Sequence, residues 1–518
     1  MVRVVSVESR PTDLNRTGLL DWQPAAVEQL LAAQARHGGA LDGSDMGTGK
    51  TAQALALVRE RDVPTLVVCP AVAMPGWRSM GEHLGVKFSI QNYEMLRTGR
   101  TPFGEWENPR QPAEKLYVCD SCQQKFKTVE EIKTRRCPHH GLGIHCIVIK
   151  SKPHDYGKFK WHPNIGQLVF DEVQRCAALD SLQADMLIAA KRQKIATLGM
   201  SATVAESPLD LRALGYVLGL HNLVGPNGFF PWAFARGVRK HPMGGFHFAA
   251  GDARGKAIMA DIHKEIFPAR GARVRIADLG AAFPNVQIKA ELYAAPDADR
   301  IAELYAEMDE AIRLLNGERL LDVAPEHTLT RMLRAGQEIE LLTVPVFEEL
   351  VRDSNAQGYH CAVFVNYRRT VEELCKRLKT QCRIDGSQIG EAGARRRAGC
   401  IADFQADKEP NIVCSIPAGG ITVSLQDVRG QFPRMGYVAP CYDAKQFRQV
   451  MGRLRRATGK STAFYRVVLI DKTPQVRTHK ALSKKLDCID AINDADLSAS
   501  NLALTKCNLA DIFKTENE

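Results

Sequence analysis

The stretch GSDMGTGKT, residues 43–51, decides the first part of the fold. Two closely spaced glycines, Gly47 and Gly49, allow backbone N–H groups to turn inward where a side chain would block them. The ammonium group of Lys50 would reach the β- and γ-phosphates of a nucleotide, and the hydroxyl of Thr51 would hold Mg²⁺. The stretch therefore predicts a phosphate-binding loop, with a flexible surface turn as the alternative.

One position departs from the strict loop pattern, which has glycine five positions before Gly49. Ser44 stands there, preceded by Gly43, and its side chain is small enough for the loop to close. The sequence TAQALALVRERD, residues 51–62, has apolar residues at helical spacing and predicts a helix directly after the loop. The N-terminus of that helix would place a partial positive charge under the phosphates.

An acidic pair supplies the second element that a phosphate loop needs. In QLVFDEVQ, residues 167–174, Asp171 and Glu172 follow a short apolar run that predicts a buried strand. Asp171 would coordinate Mg²⁺, and Glu172 would orient and deprotonate the attacking water. The alternative is a merely solvated acidic pair. Ser201 and Thr203, after a further predicted strand, would hydrogen-bond this pair and sense the γ-phosphate.

A basic stretch near the C-terminus, QFRQVMGRLRRATGK at residues 446–460, predicts a helix. Gln449, Gly452, Arg453 and Arg456 are three or four residues apart and would share one helical face. Two arginines aimed at a γ-phosphate from a second domain would act as an arginine finger. The alternatives are an exposed basic helix and a helix that contacts nucleic acid.

Composition sets broad limits on the class of protein. The chain has 518 residues, 45% apolar and 25% charged, which indicates a soluble globular protein of two or three domains. A net charge of +10 permits a polyanionic partner without requiring one. Ten of the 14 cysteines are scattered without framework spacing, which indicates free thiols in a reducing compartment. The sequence lacks a signal-peptide pattern and any apolar stretch of about 18 residues, so we expect a cytoplasmic protein.

Short apolar runs alternate with helical patterns in two groups, which predicts an α/β fold with two parallel sheets. The first group gives a predicted lobe over residues 1–215, and the second gives a lobe over residues 336–472. Residues 216–335 between them are predicted to be a helical and loop-rich segment. Residues 473–518 predict a further helix and a polar tail.

The order of these motifs resembles that of the superfamily 2 helicases, and more specifically of the Swi/Snf-like double-stranded-DNA translocases. LLDWQPAAVEQLL resembles the leading glutamine motif of the family, and GSDMGTGKT resembles motif I. VVCPAVAMPGW resembles motif Ia, DEVQ resembles a DEAH-like box, and MSAT resembles motif III. RGARVRIADLGAAFPNVQIKAELY is similar to the segment between the motor lobes. IDGSQ and ARRRAGCIADFQ resemble the start of the second lobe, SIPAGGITVSL motif V and QVMGRLRR motif VI. The matches extend over roughly residues 14–490.

The resemblance implies two RecA-like lobes with ATP in the cleft and nucleic acid across both. In this family the lobes close on ATP and reopen after hydrolysis. Gly419, Gly420 and Ser424 would couple nucleic acid to the cleft. By the same resemblance, ATP and Mg²⁺ are the cofactors, and the residues that bind or hydrolyse ATP are Gln23 (at the adenine), Gly47, Thr48, Gly49, Lys50, Thr51, Asp171, Glu172, Gln449, Arg453 and Arg456.

Two features depart from the family pattern. Gln174 stands where the DEAH-like box has histidine, which alters the contact that links hydrolysis to motif III in the family. MSAT, residues 200–203, resembles other superfamily 2 branches more closely than the Swi/Snf branch.

A cysteine-rich insertion, residues 115–150, interrupts the first lobe. Cys119 and Cys122 form one CxxC pair, and Cys137 with His140 forms a second pair, which together predict a tetrahedral structural Zn²⁺ site of the zinc-ribbon type. Alternatives for the fourth ligand are His139, His145 and Cys146. The other possibility is a chance cluster of reduced thiols.

These patterns predict an ATP-dependent DNA translocase or helicase acting on duplex or branched DNA without sequence preference, in replication, recombination or repair. An RNA helicase or RNA-stimulated ATPase is the first alternative. A catalytically silent scaffold or a motor subunit of a larger complex is the second. We expect a monomer, with replication or repair proteins as possible partners, in the cytoplasm at the nucleoid, or in the host cytoplasm for a phage-encoded protein.

Overall fold

The fold comprises two α/β lobes, each built on one parallel sheet. The computed structural model describes residues 18–107, 114–119, 125–126, 144–149, 158–240, 245–249, 252–315, 325–388, 390–419, 423–441, 443–475 and 504–506. Among these residues, no helix combines the length and the apolar character needed to cross a membrane.

Lobe 1 contains a six-stranded sheet in the order β13-β1-β10-β9-β2-β3, and all of its pairings are parallel. The strands of this part of the chain are β1 Gly39–Asp42, β2 Thr65–Cys69, β3 Ser89–Asn92, β4 Gly104–Trp106, β5 Glu114–Cys119, β6 Lys125–Phe126, β7 Ile144–Ile149, β8 Phe159–Trp161, β9 Gln167–Asp171, β10 Ala196–Met200, β11 Arg239–Lys240, β12 Phe246–His247 and β13 Gly271–Ala272. The helices are α1 Gln23–His37, α2 Lys50–Arg61, α3 Met74–Leu84, α4 Tyr93–Arg97, α5 Leu182–Arg192, α6 Arg212–Leu218, α7 Phe229–Ala235 and α8 Ala253–Ile266.

Lobe 2 contains a seven-stranded sheet in the order β16-β17-β15-β18-β19-β14-β20, which is also parallel throughout. Its strands are β14 Val286–Tyr293, β15 His360–Val365, β16 Arg383–Ile384, β17 Asn411–Ser415, β18 Arg434–Val438, β19 Ala463–Ile470 and β20 Leu504–Lys506. Its helices are α9 Ala298–Leu315, α10 Pro325–Leu342, α11 Val344–Ala356, α12 Arg368–Leu378, α13 Gly390–Gln405, α14 Ile416–Gly419 and α15 Ala444–Met451. The predicted α/β class with two parallel sheets is confirmed.

Each sheet is covered on both faces, which explains the continuous apolar runs in the sequence. In β2, Leu66 and Val68 contribute to one core cluster of lobe 1. Val67 and Cys69 point the other way and contribute to a second cluster, against α1 and α2. Lobe 2 likewise has one cluster on each face of its sheet. Strands buried on both faces need no polar alternation, so their sequences are apolar throughout.

The segment predicted to lie between the lobes, residues 216–335, contributes strands to both sheets. β13 pairs with β1 at the edge of lobe 1, and β14 pairs with β19 inside the sheet of lobe 2. A 3₁₀ helix at Ile276–Ala282 and a short extended stretch join them. The direct connection between the lobes is therefore only the stretch from β13 to β14.

The cysteine-rich insertion contains a small antiparallel sheet in the order β6-β5-β7. β5 ends at Cys119, one of the predicted zinc ligands, which pairs with Ile144 at the start of β7. The other three predicted ligands, Cys122, Cys137 and His140, lie outside the described residues, as does the alternative ligand His139.

The carboxyl ends of three neighbouring strands of lobe 1 meet at one edge of the sheet. Asp42 at the end of β1 pairs with Met200 at the end of β10, and Met200 pairs with Asp171 at the end of β9. Lobe 2 faces this edge with α15 and the residues that follow it, since Lys445 contacts Asp210 and Gln449 contacts Glu172. Ligands of parallel α/β sheets bind at such edges, which makes the cleft between the lobes the candidate site.

Candidate active site

The loop after β1 has the backbone shape that its glycines permit. Gly47 has a φ of 88° and Gly49 a φ of 92°, a region that other residues rarely adopt. A Cβ on Gly49 would also meet the side-chain amide of Gln23, which two hydrogen bonds hold against the loop. α2 begins at Lys50, directly after the loop, as the sequence predicts.

Lys50 is partly buried and is hydrogen-bonded to the loop itself. Its Nζ donates to the carbonyl oxygens of Ser44, at 2.8 Å, and Asp45, at 3.0 Å. Burial lowers the pKa of Lys50, and the carboxylates of Asp42 and Glu172 oppose that shift. An ammonium group held by neutral carbonyls can exchange them for phosphate oxygens, which make stronger charge-assisted hydrogen bonds.

The side chain of Gln23, predicted to read an adenine, supports the loop in this structure. Its Nε2 donates to the carbonyl oxygens of Thr48, at 2.9 Å, and Gly49, at 3.3 Å, while its Oε1 accepts from Leu20 N. The indole of Trp22 also donates to the Thr48 carbonyl, at 3.0 Å. The start of α1 therefore holds the middle of the phosphate loop.

Asp171 lies at the end of β9, fixed by two aromatic residues. Trp77 Nε1 donates to its Oδ2 at 2.8 Å, and the hydroxyl of Tyr93 donates to its backbone oxygen at 2.8 Å. Burial, followed by the neighbouring charge of Glu172, raises the pKa of Asp171 to about 6. Thr51 lies in the first turn of α2, so a hydroxyl and a carboxylate are available as oxygen ligands for Mg²⁺.

Glu172 is held in an uncommon backbone conformation between two glutamines. Its φ of 53° is left-handed, which costs on the order of 1 kcal/mol or more and is typical of functional sites. Its Oε2 accepts from Gln449 Nε2 at 3.0 Å and from Gln174 Nε2. Gln174, in the place of the family histidine, therefore contacts the predicted base directly.

Arg453 and Arg456 come from lobe 2, but the predicted shared helical face is wrong. α15 ends at Met451, and Arg453 lies beyond the cap, where its carbonyl oxygen accepts from Leu425 N at 2.9 Å. That bond to a neighbouring segment replaces the continuation of the helix. Both guanidinium groups nevertheless converge, since each donates to the carbonyl of Val423, at 3.3 Å and 3.5 Å.

Arg456 lies against the phosphate loop. A Cβ on Gly47 would be 3.0 Å from its Cδ and from one of its terminal nitrogens. Burial and the neighbouring Arg453 lower the pKa of Arg456 to about 9. Among the described residues, its Nε has no hydrogen-bond partner. Two adjacent cations, Arg453 buried and Arg456 partly buried, and an unsatisfied donor beside a phosphate loop fit a polyanion such as a nucleoside triphosphate.

The predicted residues of motifs III and V differ in how far the structure places them. The Ser201 hydroxyl accepts from Thr203 N at 2.9 Å, a local turn rather than a bond to the acidic pair. Gly419 ends α14, and the carbonyl of Ser424 accepts from Gln405 at 2.9 Å, whereas Gly420 lies outside the described residues.

The predicted zinc site stays a prediction. In the part of the chain that the structure describes, no group of three His, Cys, Asp or Glu side chains is placed to hold a metal ion. The alternative ligands His145 and Cys146 lie in β7, opposite Val118 and Tyr117 of β5.

Sequence reasoning missed contacts between residues far apart in the chain. Lys445 Nζ, in the first turn of α15, donates to Asp210 Oδ2 at 2.9 Å across the cleft, and 235 positions separate the two residues. Arg273 contacts Asp45 of the phosphate loop across 228 positions. No local pattern connects such pairs, because each residue by itself resembles an ordinary surface charge.

Comparison with known proteins decides the family. The chain is 31% identical over 511 residues to protein L364 of Acanthamoeba polyphaga mimivirus, which carries the name of an ATP-dependent RNA helicase. The match covers 95% of this chain and 87% of the relative. The chain belongs to the superfamily 2 helicases. This helicase is therefore an ATP-dependent enzyme, and the predicted superfamily and ATPase activity are confirmed.

Among solved structures, one match is to S. cerevisiae Dbp5 bound to RNA and ADP BeF3. It matches with a TM-score of 0.43 and 12% identity, over 95% of this helicase and 90% of that chain. No family model matches the sequence.

Proposed function

We propose that this helicase is a nucleic-acid-stimulated ATPase that uses hydrolysis to move along or remodel RNA. The observation that carries the choice of RNA is the mimivirus relative, which is named as an RNA helicase and matches nearly the whole chain. DNA is the second candidate, because motifs V and VI, at residues 415–425 and 449–456, resemble those of the DNA translocase branch.

On this proposal, lobe 1 binds ATP. Lys50 exchanges its loop carbonyls for the β- and γ-phosphates, and the backbone of Gly47, Thr48 and Gly49 encloses them. Thr51 and Asp171 would hold Mg²⁺, which neutralises charge on the phosphates. The position of Gln23 against the loop makes it a support for phosphate binding in addition to its proposed contact with the base.

Hydrolysis needs groups from both lobes. Because Gln174 and Gln449 both donate to Oε2 of Glu172, its other oxygen, Oε1, is the one that can accept a proton from water. Arg453 and Arg456 supply positive charge that stabilises the transition state in which the γ-phosphoryl group passes from ADP to water. In other phosphoryl-transfer enzymes such arginines contribute roughly 10³–10⁵ in rate.

Exposed basic residues supply candidate contacts to a polynucleotide backbone. Arg395 and Arg396 on α13 are exposed, as are Arg239 and Lys240 of β11. Contacts of this kind give salt-dependent affinity without sequence preference, as a moving motor requires. Another basic stretch predicted for this role, residues 480–485, lies outside the described residues.

The deciding experiment is steady-state ATP hydrolysis by the purified protein with no polymer, RNA, duplex DNA, single-stranded DNA or forked DNA. We expect the strongest stimulation with RNA, and loss of hydrolysis in Glu172→Gln under every condition. Stronger stimulation by DNA would establish the second candidate instead. Equal rates with and without every polymer would contradict the motor function.

We also propose that Cys119, Cys122, Cys137 and His140 bind one structural Zn²⁺. The spacing of the two pairs is the support for this site. Metal analysis of the purified protein should give one zinc per chain, and less in a Cys119→Ser/Cys122→Ser variant. A zinc content that is unchanged in that variant would exclude this ligand set.

A further inference from the structure

The phosphate loop is joined by hydrogen bonds to the segment that leaves lobe 1. After β13, residues 272–276 run beside residues 43–45. Gly43 N donates to Ala272 O and Asp45 N donates to Val274 O, each at 2.9 Å. The segment 272–276 therefore continues the pairing of the lobe 1 sheet up to the beginning of the loop.

The residue that breaks the loop pattern takes part in this pairing. Ser44 Oγ accepts from Val274 N at 3.1 Å. A glycine at this position would leave the N–H of Val274 without that acceptor. The serine in place of the usual glycine is thus explained by the hydrogen bonds of its hydroxyl to this segment and to the Asp42 carboxylate at the end of β1.

Arg273 and Asp45 form the strongest contact of this joint. Arg273 donates to Asp45 Oδ1 at 2.8 Å and to the carbonyl of Gly43. Ile276 N donates to the other carboxylate oxygen at 2.9 Å. The Arg273 side chain is only 6% exposed and that of Asp45 only 20%, so the pair is largely shielded from solvent.

The same Asp45 contacts the groups that line the loop. Its backbone carbonyl accepts from Lys50 Nζ at 3.0 Å and from the Thr48 hydroxyl at 2.8 Å. Asp45 therefore lies between Arg273 on one side and the phosphate-binding lysine on the other. A shift of its backbone would move the acceptor of Lys50 directly.

Beyond Ile276 the segment contacts both lobes. Phe283 packs on Trp22 of lobe 1, with ring centroids 6.0 Å apart, and the carbonyl of Pro284 accepts from Arg455 Nε of lobe 2 at 2.8 Å. In the sequence, Arg455 stands between Arg453 and Arg456, the two arginines of the cleft. β14 of lobe 2 begins at Val286, two positions after Pro284. The short stretch from Arg273 to Val286 thus spans from the phosphate loop to the lobe 2 sheet.

We propose that Arg273 is a positioning residue for ATP hydrolysis, which acts through Asp45 to fix the phosphate loop to the segment that joins the lobes. Through this joint the shape of the loop follows the position of lobe 2. The effect on basal hydrolysis rests on the ATPase activity of the family alone, whereas an effect on polymer stimulation rests on the proposed function.

The test compares Arg273→Gln with Arg275→Gln. Arg275 is a matched control, since it is two positions away in the same segment and is paired with Asp278, but both of those side chains are exposed. We expect the basal kcat/KM for ATP to fall about tenfold to a hundredfold in Arg273→Gln, since small displacements of binding groups have effects of this size. We expect Arg275→Gln to stay within about twofold of wild type.

Two milder variants keep the test decisive where Arg273→Gln folds poorly. Arg273→Lys retains the charge but cannot donate to the Gly43 carbonyl and the Asp45 carboxylate at the same time with a planar guanidinium. This variant should therefore recover part of the activity. Ser44→Ala removes the acceptor of Val274 N together with the hydrogen bond of the Ser44 hydroxyl to Asp42, and should raise KM for ATP with kcat little changed. Binding of a fluorescent ATP analogue to folded protein, measured without polymer, separates loss of the loop geometry from loss of folded protein.

The proposal is overturned if folded Arg273→Gln binds the analogue and hydrolyses ATP as wild type does or, where that variant does not fold, if Arg273→Lys and Ser44→Ala both do so. It is also overturned if Arg275→Gln loses as much activity as Arg273→Gln. A wild-type protein that no polymer stimulates would refute the proposed function, whereas the basal comparison of these variants would still decide the role of Arg273.

Discussion

The two sides of the cleft are built differently. On the lobe 1 side, the groups follow directly from strand ends and a helix start. Short-range hydrogen bonds fix Lys50, and Glu172 accepts from Gln174 of the same lobe as well as from Gln449 of lobe 2. On the lobe 2 side, Arg453 and Arg456 lie beyond the end of α15 and are oriented by the carbonyl of Val423, some 30 positions earlier. From this difference we predict that the affinity for the nucleotide depends mainly on lobe 1, whereas the rate of hydrolysis depends on the position of lobe 2.

The largest effect should come from the lobe 2 arginine nearest the loop. Arg456→Gln is expected to lower kcat by roughly 10³-fold or more, as for other arginine fingers, while ATP binding changes much less. Lys50→Ala should instead abolish binding. Single-turnover hydrolysis and equilibrium binding of a fluorescent ATP analogue measure both properties.

Lobe 1 and lobe 2 would have equivalent roles if Arg456→Gln weakened nucleotide binding as much as Lys50→Ala. Arg429→Gln is a suitable control, because this lobe 2 arginine is half exposed, pairs with Asp407 and donates to the carbonyl of Ala406.

The second largest loss of kcat is expected when Glu172, the proposed base, is replaced. Glu172→Gln keeps the shape of the side chain but cannot accept a proton, so kcat should fall by about 10²–10⁴-fold. ATP affinity should stay near wild type or rise, because a negative charge beside the phosphates is removed. Rapid-quench measurement of the chemical step checks this, and a rate within tenfold of wild type would assign the base elsewhere.

A smaller effect is expected at the contact that joins the lobes. Lys445 is a cation in the first turn of α15, an unfavourable position relative to the helix dipole, and Asp210 compensates it at 2.9 Å. The two side chains are only 19% and 23% exposed, so the pair should stabilise the closed arrangement by about 1 kcal/mol.

Asp210→Asn and Lys445→Met should therefore each lower the basal rate about fivefold, given that about 1.4 kcal/mol corresponds to a factor of ten. The exchange variant Asp210→Lys/Lys445→Asp should recover only part of the loss, because Asp210 Oδ2 also accepts from Glu206 N at 2.8 Å and a lysine cannot replace that acceptor. Energy transfer between dyes on the two lobes would report closure, and an exchange variant worse than either single one would argue against this pairing.

The smallest effect is expected at Gln174. Gln174→His restores the family residue at a position that donates to Glu172 Oε2. A neutral imidazole can donate the same hydrogen bond, so we expect kcat to change only a few-fold. Gln174→Leu removes the donor and should cost more, by about five- to tenfold. Equal rates for all three proteins would show that Gln449 alone suffices to orient Glu172.

Much of lobe 1 was readable from the sequence because its signals are local. The loop glycines, the helix that begins at Lys50 and the strand before Asp171 depend on residues a few positions apart. Apolar runs predicted the parallel strands, since strands buried on both faces need apolar side chains throughout. The helical face proposed for the arginines failed because the bond from Leu425 to Arg453 competes with the helix, and spacing within the helix gives no sign of it.

The sequence by itself determined the class of fold, the order of the motifs and the chemistry of a nucleotide-binding loop, because these depend on local conformation and residue type. Only the tertiary structure decided which residues meet. It brought Arg273 to Asp45, Lys445 to Asp210 and the lobe 2 arginines to the loop, over separations that no periodic pattern spans. The physical reason is that burial gives such pairs their strength, and burial is a property of the assembled lobes.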